Sequence, residues 1–63
     1  MSFSTFRKKV GEIALAAGSR VRFSSENGRH IARCSGGITI TGNTTCRKIT
    51  VKWGNGHVAV APV

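Results

Sequence analysis

The residues Arg47-Lys-Ile-Thr-Val-Lys-Trp53 alternate without a break. Ile49, Val51 and Trp53 fall on one side of an extended chain, and Lys48, Thr50 and Lys52 fall on the other. This period of two marks a strand with one face buried and one face in water. Asn55-Gly56 follows as a hairpin signal, because both residues tolerate positive φ. In His57-Val-Ala-Val-Ala61 the alternation returns through Val58 and Val60. These residues predict a β-hairpin with an apolar inner face and a cationic outer face, against which the remaining segments pack.

The first eighteen residues have a different period. Phe3, Phe6, Val10, Ile13, Ala14 and Ala17 recur at helical spacings and predict a helix over 1–18 with one apolar face. Ser2 or Ser4 can cap its start, and Gly18 suits the left-handed residue that ends a helix. Arg7, Lys8 and Lys9 are expected on the side away from the phenylalanines. They form a cationic stretch in the half of the helix where the dipole disfavours cations.

From Ser19 onward the chain reads as β. Arg20-Val-Arg-Phe-Ser24 alternates, and Glu26-Asn27-Gly28 marks a turn. Arg29-His-Ile-Ala-Arg-Cys34 is a strand whose two sides are His30, Ala32 and Cys34 against Arg29, Ile31 and Arg33. Either side can face inward, with a bulge near Gly28 reconciling the choice. Ser35-Gly36-Gly37 breaks the chain, Ile38-Thr-Ile-Thr41 is a short strand, Gly42-Asn-Thr-Thr45 is a loop, and Pro62 ends the last strand. The expected fold class is α+β, mainly β. One N-terminal helix precedes a strongly bent five-stranded antiparallel sheet or a small SH3-like barrel, in a single domain over 1–63.

The order of helix then five bent strands, with Val21-Arg22-Phe23 near the start, a Gly-rich middle and Val51 to Gly56 at the end, resembles the SH3-like small barrels. The Sm-like RNA-binding proteins share that layout. The likeness is one of architecture over nearly the whole chain and carries no binding residue with it.

Charge is the main functional signal. Ten Lys and Arg against two Glu give a net charge of +8 and a pI near 11.4. Such a field draws polyanions and speeds their encounter. Nucleic acid is the expected partner, contacted mainly through its backbone by Arg20, Arg22, Arg33, Arg47, Lys48 and Lys52, with Trp53 as a rim aromatic. The few aromatics are mostly claimed by the core, which points to weak or shape-based specificity over base reading. The alternative is a small protein-binding module or inhibitor docking on an acidic partner surface. A homo-oligomer formed by pairing open sheet edges is a third reading.

Other chemistries find less support. His30, Cys34, Cys46 and His57 are zinc-competent, but His30 and Cys34 stand about 13 Å apart along a strand. With Glu12 and Glu26 far apart in the pattern and no Asp, no catalytic pair is assembled, so no enzyme and no cofactor are expected. The run from Ile13 to Ala17 is too short for a membrane span or a signal-peptide core. The expected setting is the cytoplasm with reduced thiols, although two cysteines leave a disulfide open.

Overall fold

The computed structural model describes residues 1–45 and 47–62. Its elements are α1 (Phe3–Ala17), β1 (Val21–Glu26), β2 (Arg29–Cys34), β3 (Ile38–Asn43), β4 (Lys48–Lys52) and β5 (Val58–Pro62). The strands form one antiparallel sheet in the order β1-β2-β3-β4-β5. The sheet bends over α1 but does not close into a barrel, so β1 and β5 are both edges. The pairing of Cys34 with Cys46 lies outside the described residues.

Both helix ends follow from single residues. Ser2 is extended, and its hydroxyl accepts from the Thr5 amide at 3.2 Å. Gly18 adopts φ 65° and ψ 26° and donates to the Leu15 carbonyl at 3.1 Å. Ser19 donates to the Ala14 carbonyl at 2.8 Å, completing a Schellman closure. Phe6, Val10 and Ala14, each four residues from the next, are the buried stripe. Ile13 and Ala17, expected on the same face, are exposed, because the buried stripe of Phe6, Val10 and Ala14 is narrow and α1 packs mainly on β1 and β2.

The core is a ring cluster set on small residues. Phe6, Val10, Ala32, Ile40 and Ile49 are buried, with Phe3 and Phe23 packed against them. Phe23 meets Phe3 and Phe6 edge-on at 6.4 and 6.3 Å, and the His30 ring lies 5.2 and 5.4 Å from the same two rings. His30 Nε2 sits 3.2 Å from the Met1 carbonyl oxygen, while Nδ1 is buried with no hydrogen-bond partner among the described residues. Arg7 departs from the expected placement. Its guanidinium lies 5.8 Å from the Phe3 ring centre and 5.2 Å from that of Phe23, because residue i+4 on a helix returns over residue i.

Registers settle which side of each strand faces α1. Phe23 pairs with Ala32 and Ala32 with Ile40, so His30, Ala32 and Cys34 point inward and Arg29, Ile31 and Arg33 outward. No bulge is needed. Asn27 and Gly28 take φ of 50° and 75°, the two positive values of a type I′ turn, and Glu26 pairs directly with Arg29.

The last hairpin is built differently. Only Gly56 of the Asn55-Gly56 pair has positive φ, at 90°. Gly56 donates to the Trp53 carbonyl and Trp53 to the His57 carbonyl, so the loop has three residues. Lys52 therefore pairs with Val58 and Val51 with Ala59. A two-residue turn would have moved this pairing by one. A shift of one residue exchanges faces, so Ala59 and Ala61 line the inside while Val58 and Val60 are 51% and 60% exposed.

Gly42 records how closely helix and sheet approach. A Cβ there would lie 2.8 Å from Phe6 Cδ1 and 3.3 Å from Met1 Cε. Phe6 is fully buried and has nowhere to move. Gly42→Ala should therefore destabilise by roughly 1–3 kcal/mol through overpacking. Gly11→Ala, in the helix with nothing within 4 Å, should stabilise by up to ~1 kcal/mol. Thermal unfolding of the two variants should move in opposite directions, by about 4–8 °C per kcal/mol.

Candidate nucleic-acid interface

With inward positions assigned, the opposite face of the sheet follows residue by residue. One row across it reads Arg22, Arg33, Thr39, Lys52, Val58. The next reads Ser24, Ile31, Thr41, Thr50, Val60, and beyond it Glu26 pairs with Arg29 while Lys48 pairs with Pro62. Five of the ten cations therefore share one face: Arg22, Arg29, Arg33, Lys48 and Lys52. All five are exposed.

Arg20 stands just before β1 and extends this set along the sheet edge. It is held there by Ser35, whose amide donates to the Arg20 carbonyl at 3.0 Å and whose hydroxyl accepts from the Arg20 amide at 3.3 Å. Arg20, Arg22 and Arg33 line one open depression of about 470 Å³ together with Val21, Cys34 and Ser35. A second depression of about 430 Å³ lies at the other end of the face and is lined by Arg29, Lys48, Thr41, Thr50, Asn43, Gly42 and Val60.

Two of the expected contact residues lie elsewhere. Arg47 lines a cavity with Met1, Thr5, Thr44 and Thr45 beside the start of α1. Trp53 is half-buried, and its ring lies 5.0 Å from that of His57, past the end of β4 on the side of Ile49 and Val51. Both placements follow from parity, since residues 47, 49, 51 and 53 alternate with Lys48, Thr50 and Lys52. Arg29 was missing from the expected contacts. The signal for it was the alternation of Arg29 with Arg33, which had no assigned side until β2 was registered against Phe23.

Arg7, Lys8 and Lys9 belong to α1, on the far side of the sheet from this face. Among the described residues, no group of three or more His, Cys, Asp or Glu is close enough to hold a metal ion. No helix among them is long and apolar enough to cross a membrane. No protein-family model, no curated protein and no solved structure matches the chain.

Cys34 reports on the first depression. Partial burial pushes its thiol pKa up from the ordinary value, so at a given pH less of it is the reactive thiolate. In a Cys46→Ser background, alkylation of Cys34 at pH 7.5 should be slower than that of a small free thiol and should rise with pH across a higher range. A rate equal to the free thiol would mean that the thiol is not desolvated. A polyanion seated over Arg20, Arg22 and Arg33 should slow the reaction further.

Proposed function

We propose that this protein binds nucleic acid by phosphate contacts along the outer face of its sheet. The supporting observation is the pairing of Arg22 with Arg33 directly across β1 and β2. Like charges in that position destabilise a sheet. A face that needed only solubility would place an acid opposite, as Glu26 stands opposite Arg29. Two carboxylates in the whole chain cannot balance ten cations by single pairing. A ligand that supplies the missing negative charge relieves the repulsion, and guanidinium and ammonium groups are what phosphate oxygens accept from.

The element order that resembles the Sm-like RNA-binding proteins is compatible with this reading, but a fold does not assign a function. The protein is read as a binding protein. Direct contacts to backbone imply modest sequence preference.

The test measures affinity for labelled oligonucleotides between 50 and 200 mM salt. Five neutralised phosphates on a duplex give a log–log slope near −4.5, or about 500-fold weaker binding across that range. Arg33→Glu should separate stability from function. It places an acid opposite Arg22, so thermal stability should hold or rise by up to ~1 kcal/mol, while affinity falls at least tenfold. Lys48→Glu with Lys52→Glu should also abolish binding in a folded protein, whereas Lys8→Glu with Lys9→Glu on the helix should retain most of it. Undiminished affinity in the outer-face variants sinks the assignment.

A second reading, docking on an acidic protein, is favoured by β5. That strand is an open edge with no charged residue and two exposed valines beside Lys48 and Lys52. Charges are the usual guard of such an edge. Val60→Lys should abolish docking or self-association, followed by sedimentation, while nucleic-acid affinity is kept. Loss of both would merge the two surfaces into one.

A further inference from the structure

β2 and β4 each carry two outward cations four residues apart with a neutral residue midway. Arg29 and Arg33 flank Ile31, and Lys48 and Lys52 flank Thr50. Between these strands β3 presents Thr39, Thr41 and Asn43 and holds no charge. At about 3.3 Å per residue, the cations of each pair stand ~13 Å apart, and β2 and β4 lie ~10 Å apart across β3. Sheet twist turns one pair against the other by about 45° over two strand steps, which still leaves the two cationic rows ~12 Å apart. The face is thus two positive rows on either side of a neutral strip, and it is the convex side of the sheet, since α1 occupies the concave one.

We infer that this face straddles the major groove of B-form duplex DNA. The inference rests on the nucleic-acid reading above and narrows it to one kind of ligand. The major groove is about 12 Å wide and the minor groove about 6 Å, so only the first accepts both rows at its two phosphate walls. The major groove of A-form RNA is deep and narrow, and a sheet cannot enter it. Single strands are held by aromatic platforms. The face has none among the described residues, because Phe3, Phe6 and Phe23 are in the inner cluster and Trp53 lies on the other side, its ring tilted against that of His57.

In this placement Arg29 and Arg33 of β2, with Arg22 beside Arg33, meet one backbone, and Lys48 and Lys52 of β4 meet the other. Thr39, Thr41 and Asn43 of β3 face the groove between them. Threonine hydroxyls and the Asn43 amide donate to or accept from base edges of either kind. Such a strip gives a shallow preference among sequences, while the rows supply the affinity.

The test uses the full chain, a 20-base-pair DNA duplex, the RNA duplex of the same sequence and the single DNA strand, at one salt concentration. The DNA duplex should bind at least tenfold more tightly than either of the others. Methyl green, which occupies the major groove, should displace the protein, and netropsin, which occupies the minor groove, should not. Equal affinity for DNA and RNA duplexes, preference for the single strand, or displacement by netropsin overturns the groove assignment and leaves phosphate binding intact. Failure to bind any of the three overturns the phosphate reading itself, and this inference with it.

Discussion

The seating of Phe6 on the inner face of the sheet is the contact from which the other positions follow. Its ring presses on Gly42 so closely that a single methyl group at that position would collide with it. Ala32 offers the same kind of floor one strand away. Small residues under a large ring let a 15-residue helix sit low on a sheet that has few large side chains of its own. With Phe6 fixed, Phe3 stacks beside it, Phe23 meets both rings edge-on, and the inward side of β1, β2 and β3 is decided. Everything on the other side is then in water.

That consequence gives the molecule its division of labour. The inner face is nearly free of charge, and His30, the buried polar side chain among the described residues, is half satisfied by the Met1 carbonyl. The outer face holds five cations and little to oppose them. Burial of a Phe or Ile side chain contributes about 1.5–3 kcal/mol, while a like-charge cross-strand pair costs on the order of 0.2–1 kcal/mol. The core can therefore carry the electrostatic strain of Arg22 beside Arg33. A small domain with modest total stability has reason to remove such a strain unless it serves binding.

The two edges of the sheet are treated differently. β1 is flanked by Arg20 and carries Arg22 and Glu26, charges that discourage pairing with another strand. β5 is Val-Ala-Val-Ala-Pro, guarded only by the missing amide of Pro62 at its end. The exposure of Val58 and Val60 comes from the three-residue loop at Gly54-Asn-Gly56, which offsets the hairpin by one position and turns the alanines inward. One glycine conformation thus decides whether β5 presents an apolar or an inert outer surface.

Much of this arrangement was legible in the chain alone. Helical spacing, the Ser2 and Gly18 ends, five strands, and the split between Lys48 or Lys52 and Ile49 or Val51 are all properties of local period, and local period depends on backbone geometry that neighbouring residues share. The parity that carries Arg47 and Trp53 to the inner side was also present in the chain. What the chain could not decide by itself was register. His30 and Ile31 could each have faced the helix, the final turn could have closed over two residues or three, and the sheet could have curled shut. Those choices rest on contacts between residues far apart in sequence, above all Phe23 against Ala32 and Phe6 against Gly42. Because side chains alternate with a period of two, an offset of one residue sends every group on a strand to the other face, so only tertiary packing could assemble Arg22, Arg29, Arg33, Lys48 and Lys52 on one surface.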